Sequence, residues 1–267
     1  MKPIKKDNII YFKFNELDKF DFVNHSVSSR HGGVSVKDGL ESMNLGTYTA
    51  DDIENIRQNY KLFCLAAGYD VKRIVLGNQS HSLNVRYVTD ADCGKGVFCD
   101  RDYNDVDALI TDIKNLPLVI HTADCVPVSF IDTRLKVIGN AHCGWRGTYG
   151  ELAKITLLAM KEKFSTLPED VVCTIGPCIC MNCYEVSKDL YNDFLSKFGK
   201  SSALTVNNNS YYIDLADINR QILISSGVKP CNIIVSDLCT CCNTELFYSH
   251  RGQGAKRGIF ASVLQLN

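Results

Sequence analysis

The chain has 267 residues, 45% of them hydrophobic, enough for one large core or two modest ones, and nothing in its composition forces a division. Its 29 Lys and Arg against 30 Asp and Glu leave a formal charge of -1, so no global field favours nucleic acid or an anionic membrane over small solutes. The basic start, Met1-Lys2-Pro3-Ile4-Lys5-Lys6-Asp7, runs into Ile9-Ile10-Tyr11-Phe12, too short and too polar for a secretory h-region, and no stretch approaches the roughly 20 apolar residues of a membrane span. A cytoplasmic protein with neither a nucleic-acid nor a membrane partner is expected.

In chain order, the pattern predicts a first strand over residues 9–14. Asp51-Asp52 then caps an amphipathic stretch over 53–67 that stops at Gly68, a helix with both ends marked. Strands follow over 74–77, 118–121, 126–131 and 136–141. A helix over 149–164 places Leu152, Ile155, Leu158 and Ala159 on one face. After a strand over 171–175 come a shorter helix over 187–198 and a strand over 211–214. The helix over 214–226 puts Leu215, Ile218, Ile222 and Leu223 on one face before Gly227. Strands over 233–235 and 259–264 close the chain. Strands outnumber helices, and no repeat or long Pro/Gly/Ser linker interrupts them. The pattern predicts an α/β (α+β) protein, a single domain over 1–267 with mixed β-sheets flanked by helices.

Two of these strands carry the chemistry. Asp132-Thr133-Arg134-Leu135 is a tight turn, so 126–131 and 136–141 form an antiparallel hairpin whose open ends meet. Cys125 at the start of one strand then lies beside His142 at the end of the other. A third strand end, Ile74-Val75-Leu76, leads into Asn78-Gln79-Ser80-His81, although local geometry does not place His81. If the three ends converge, one thiolate and two imidazoles make a donor set suited to Zn2+, with a fourth position open to water or substrate. Water bound there would have its pKa lowered towards neutrality. The same Cys125 and His142 would also serve as nucleophile and base of a cysteine hydrolase or amidase. Asp124 either holds a ligand, accepts a proton or caps a turn.

Gly144-Trp145-Arg146-Gly147-Thr148 leads into the predicted helix, where free amides, the helix dipole and the Arg146 fork suggest an anion site; a surface salt bridge is the plainer use of Arg146. Ser28-Ser29-Arg30-His31-Gly32-Gly33-Val34-Ser35, with Asn44-Leu45-Gly46 soon after, is a second Gly-rich turn with a cation, and alone it marks only a turn. Thirteen cysteines, an odd number, argue against a disulfide scaffold. Cys64, Cys173 and Cys231 lie in or beside apolar segments and read as core thiols. Cys239-Thr240-Cys241-Cys242 and the set Cys178, Cys180 and Cys183 have short spacings that suggest structural zinc, but neither cluster is read as having the CxxC pair plus a distant matching pair that would make the signal strong.

Arg30-His31-Gly32-Gly33-Val34-Ser35, Met43-Asn44-Leu45-Gly46, Gln79-Ser80-His81, Thr122-Ala123-Asp124-Cys125-Val126-Pro127, Ala141-His142-Cys143-Gly144-Trp145-Arg146-Gly147, Ile175-Gly176-Pro177-Cys178-Ile179 and Cys183-Tyr184-Glu185-Val186 are shared in order with one family. Over nearly its whole length the chain resembles the multicopper polyphenol oxidase (laccase domain) family, also called the YfiH or purine nucleoside phosphorylase family. The resemblance implies a zinc held by His81, Cys125 and His142, catalysis by Cys125, His142 and Asp124, and substrate or phosphate contacts from Arg30, Asn44, Arg146 and Arg251. It implies phosphate attack on the ribose C1′ of adenosine, inosine or methylthioadenosine, and in some members adenosine deamination by metal-activated water. Purine nucleoside and inorganic phosphate are thus the expected partners, and oligomeric state is not read.

The chain departs from the family at two places. Cys143 stands where the family usually has Ala, which puts a second thiol beside the site as a spare ligand or an oxidation-sensitive group. Ser249-His250-Arg251-Gly252 replaces a Ser-Tyr-Arg-Arg tendency, so Arg251 survives and the second arginine does not. His250 reads as a surface histidine, and Tyr184-Glu185 as pocket-shaping or ordinary structure. Copper phenol oxidation is disfavoured by six histidines without a His-x-His pair. The same residues would also suit an amidase, including one acting on a peptidoglycan precursor, or a non-enzymatic metal-binding module.

Overall fold

Asp52 accepts a hydrogen bond from the Glu54 amide at 3.0 Å, and Gly68 adopts a left-handed φ of 82°, so α1 spans Ile53–Ala67 with both ends closed as its sequence demands. The computed structural model describes all 267 residues. The strands are β1 (Lys2–Lys6), β2 (Ile9–Lys13), β3 (Val23–Ser28), β4 (Val75–Leu76), β5 (Val85–Tyr87), β6 (Ala108–Thr111), β7 (Leu118–Thr122), β8 (Val126–Asp132), β9 (Val137–Cys143), β10 (Val171–Ile175), β11 (Glu185–Val186), β12 (Leu204–Asn207), β13 (Ser210–Ile213), β14 (Ile233–Val235) and β15 (Phe260–Leu266). The remaining helices are α2 (Trp145–Tyr149), α3 (Leu152–Phe164), α4 (Lys188–Phe198), α5 (Leu215–Ser225) and α6 (His250–Gln253).

Two six-stranded mixed sheets run in the orders β1-β2-β3-β15-β7-β4 and β14-β10-β8-β9-β6-β5, with a small β11-β13-β12 sheet beside them. Period-two alternation gives each large sheet two apolar faces. On the inner faces, Leu118, Leu264 and Leu266 of the first sheet meet Leu109, Ile131, Ile138 and Val172 of the second. The outer face of the first is covered by Ile56, Tyr60 and Phe63 of α1. The outer face of the second is covered by Leu152, Leu157 and Met160 of α3 and Ile218 and Ile222 of α5. The result is the mixed α/β architecture the pattern implied. No helix is long and apolar enough to cross a membrane.

The differences from the sequence reading have physical causes. The helix expected over 149–164 is α3 and starts three residues later, because Glu151 takes a left-handed φ of 61° between it and the short α2 that ends at Tyr149. The buried face of α3 is Leu152, Ala153, Thr156, Leu157 and Met160, whereas Leu158 is 53% exposed. Ile155, Leu157, Leu158 and Ala159 make this helix apolar nearly all round, so the sequence admits more than one register. β3 was hidden by its polar Asn24-His25-Ser26, although Ser26 is fully buried and bonded to the Tyr69 hydroxyl at 2.8 Å. β1 was hidden by the lysines that shield a sheet edge. β5, β6, β11 and β12 are only two to four residues long.

Candidate metal centre and its cavity

The hairpin is the frame of the site. β8 and β9 pair antiparallel with Pro127 opposite His142 and Val126 opposite Cys143, so Cys125, one residue ahead of β8, lies at the end of β9. Asp132 closes the turn by accepting the Arg134 and Leu135 amides at 2.9 and 2.8 Å. Because side chains alternate along a strand, His142 and Cys143 go to opposite faces. Cys143 packs in the core with Leu152 and Ala153, and burial pushes its thiol far up; it is a core residue rather than a spare ligand.

His81 is brought in by a loop tied from two sides. The Gln79 side chain accepts from the His121 amide and donates to the His121 carbonyl, both at 2.8 Å, which fixes the loop to β7. On the other side Asp107, fully buried just before β6, accepts from the amides of Ser80, His81 and Ser82 at 3.0, 3.1 and 2.8 Å and from the Ser82 hydroxyl at 2.9 Å. The same carboxylate accepts from His142 Nδ1 at 2.8 Å. Asp107 thus fixes the His81 backbone and orients the His142 imidazole, and the sequence reading missed it. The only signal was an acidic residue directly before the apolar Ala108-Leu109-Ile110.

One donor atom from each of His81, Cys125 and His142 lies within 4.8 Å of the others. The Asp107 bond occupies His142 Nδ1, which leaves Nε2 for a metal. Gly144 leaves the space: a Cβ there would stand 3.0 Å from both Cys125 Sγ and His81 Cδ2. Two imidazoles and a thiolate, oriented by a carboxylate and free of crowding, fit a zinc ion with an open position. Without metal the donors form an ion pair. Burial pushes the Cys125 thiol up, but His142 and a hydrogen bond from His81 outweigh it and bring it down to about 6. Burial likewise pushes His142 down, but Cys125 and Asp107 raise it to about 9. His121 stands apart from the cluster, buried against the Tyr60 hydroxyl at 2.5 Å and held neutral by burial.

The cluster opens on a cavity of about 300 Å³ lined by His81, Cys125, Trp145, Tyr184, His250, Arg251 and Arg257, among others. Asp124 also faces it, but both its carboxylate oxygens are engaged, by the Thr240 hydroxyl and the Arg251 amide, each at 2.7 Å. At φ 91° it turns the chain from β7 of one sheet to β8 of the other, and its carbonyl accepts the Ile179 amide at 3.0 Å. The geometry gives it an anchoring role.

Of the four residues assigned to substrate or phosphate, the structure sets only Arg251 in the cavity wall, its guanidinium donating to the Cys183 and Glu185 carbonyls at 2.8 Å each. Arg146 is exposed and lies over the Trp145 ring at 4.1 Å, beside the cavity. α2 has only five residues, too few aligned peptides for an appreciable dipole, so of the anion site expected at the helix start the Arg146 guanidinium is the part that carries charge. Arg30 is committed elsewhere, to the Thr244 carbonyl at 2.8 Å, Glu41 at 3.6 Å and the Tyr248 ring at 4.7 Å. Asn44 is fully buried; it donates to Thr49 and Asp51 and accepts the Gly46 and Ile259 amides, so no donor remains for phosphate. The sequence reading missed Arg257, whose buried Nε has no partner and which reaches both this cavity and a neighbouring one of about 420 Å³. Lys256-Arg257 looked like any surface basic pair.

Residues 24–267 match the family model described as multi-copper polyphenol oxidoreductase laccase. The chain belongs to this family. A purine nucleoside phosphorylase, YlmD, of Bacillus subtilis (strain 168) is 34% identical over 89% of this chain and 86% of its own. Adenosine deaminase RL5, from an unknown prokaryotic organism, is 28% identical over 91% of this chain and 96% of its own. The crystal structure of YlmD from Geobacillus stearothermophilus superposes with a TM-score of 0.90 at 27% identity, covering 99% of this chain and 98% of that one. The laccase description does not match the donors in hand. Only His81 and His142 of the six histidines enter the cluster, too few for the several imidazole-rich coppers of an electron relay.

Proposed function

We propose that this protein is a zinc-dependent purine nucleoside phosphorylase that cleaves adenosine, inosine and methylthioadenosine, with adenosine deamination as a second activity. The observation that carries the reading is the open three-donor cluster of His81, Cys125 and His142 at a cavity whose wall also holds Trp145, Tyr184, Arg251 and Arg257. The names of the relatives in Bacillus subtilis and of RL5 support it. Zinc bound by the three donors would supply a Lewis acid with an open coordination position.

The chain's own residues do the rest. Trp145 and Tyr184 offer flat apolar faces to a purine, and burial pushes the Tyr184 hydroxyl up to about 12, which keeps it neutral. Arg251 and Arg257, with Arg146 beside the cavity, supply the positive charge a phosphate needs. Asp107 holds His81 and His142 in register. A phosphate oxygen attacks ribose C1′, the bond from C1′ to the purine nitrogen breaks, and its electron pair leaves with the base, which takes up a proton. Following the three nucleosides by chromatography with and without phosphate tests this: base and ribose 1-phosphate are expected only with phosphate, and phosphate-independent release would defeat the proposal.

The Cys125 and His142 ion pair favours one second reading, a cysteine hydrolase or amidase with a peptidoglycan precursor among its candidate substrates. It predicts that an electrophile labels Cys125 during turnover and that His81 is dispensable. The zinc reading predicts that His81→Ala loses metal and activity together. We also propose a single domain over residues 1–267 and a cytoplasmic location, where reducing conditions keep thirteen thiols free.

A further inference from the structure

Four cysteines away from the three-donor cluster meet at one point. Cys180 and Cys183 bracket a short turn ahead of β11, and Cys239 and Cys242 bracket another after β14. Their four sulfur atoms all lie within 4.8 Å of one another. Each pair is spaced C-x-x-C, and the pairs are offset by 59 residues, member for member. Reading Cys178 with Cys180 and Cys183 hid this match; Cys178 is a buried core thiol, and the other four make the two-pair pattern of a structural zinc site.

The geometry suits one ion. A Zn–S bond of about 2.3 Å in a tetrahedron sets the sulfurs about 3.8 Å apart, within the observed spread, where Cys183 and Cys242 approach to 3.4 Å. A multi-iron cluster would hold its cysteines around a wider core. The amides of Cys180 and Cys242 donate to Cys239 Sγ at 3.3 and 3.4 Å, an arrangement that favours a thiolate. All four cysteines are free, and only a cation between them would let four sulfurs this close ionise together.

We propose that Cys180, Cys183, Cys239 and Cys242 bind one zinc ion as a closed structural site, separate from the open cluster. On binding, the thiols release their protons to solvent and all four positions are filled, so no water or substrate can be activated there. The ion fastens the segment before β11 to the loop after β14. That junction bears on the cavity: Cys183 and Glu185 accept from Arg251, Thr240 donates to Asp124, and Tyr184 lines the wall.

The test is zinc per chain in the purified protein, with cobalt substitution as a spectroscopic check. Wild type should carry two zinc ions, Cys125→Ala one, and Cys180→Ser/Cys239→Ser one. Cobalt at the remaining site of Cys125→Ala should show the intense charge-transfer bands of several thiolates. Alkylation of native wild type guards against a variant that fails to fold: the four cysteines should resist it until zinc is chelated, while Cys231, exposed rather than the core thiol its apolar neighbours suggested, reacts at once. A single zinc lost in Cys125→Ala and kept in the double variant, iron bound by the four sulfurs, or four cysteines that alkylate as fast as Cys231 before chelation would overturn the proposal. A single zinc lost only in the double variant would instead sink the open-cluster reading and leave this one standing.

Discussion

The two clusters of metal-type donors are built by opposite means. His81, Cys125 and His142 stand at strand ends, positioned by the β8–β9 ladder, the Gln79 clamp and the buried Asp107 carboxylate. Cys180, Cys183, Cys239 and Cys242 lie in two turns outside the large sheets; a bridge between Cys178 and Cys239 and the Arg251 bond to the Cys183 carbonyl join the backbones, while only two amide bonds reach the sulfurs themselves. A scaffold that orients donors in advance can leave a coordination position open, because it does not need the metal to hold its shape. Loops that depend on the metal use every donor on it. Chemistry is accordingly proposed for the first cluster and cohesion for the second.

That contrast can be broken in order of expected effect. Cys125→Ala should lower kcat/KM by roughly 1,000-fold or more, the worth of a Lewis acid that contributes several kcal/mol, while the circular dichroism spectrum stays native. Equal loss of activity and fold would erase the distinction. A soft chelator added to wild type should remove zinc in two phases, activity vanishing with the fast one and thermal stability with the slow one; a single phase governing both would merge the sites. Asp107→Asn keeps the shape but weakens the bonds to His81 and His142, so metal affinity at the open site should drop about 10- to 100-fold, with the four-cysteine zinc retained. Arg257→Ala, which removes the cavity arginine whose Nε has no partner, should raise KM for phosphate about 10-fold, the scale of one charge-assisted hydrogen bond. Arg30→Ala should leave that KM alone and lower the melting temperature by a few degrees, since its partners are Thr244, Glu41 and Tyr248.

Much of this was legible wherever one local rule fixed the outcome. Asp52 and Gly68 set the ends of α1, and Asp132-Thr133-Arg134-Leu135 set the hairpin that brings Cys125 beside His142. His81 had no local rule, since its loop is held by Gln79 reaching out to His121 of β7 and by Asp107 reaching in from just before β6. Asn44 and Arg30 looked like ligand contacts because amides and guanidiniums bind phosphate and backbone with the same atoms; only the fold shows that the partners are internal. Arg257 showed the converse, a plain basic residue whose buried, unpartnered Nε appears only when the chain closes around it. The four-cysteine cluster was present as two C-x-x-C pairs and was obscured by Cys178 and Cys241 lying among them.

The most direct test of the functional claim is the fate of the ribose when purified zinc-loaded protein is given inosine and inorganic phosphate. The account predicts ribose 1-phosphate and hypoxanthine in equal amounts, no free ribose, and neither product from the Cys125→Ala variant. Free ribose in place of ribose 1-phosphate, or undiminished turnover by that variant, would contradict it.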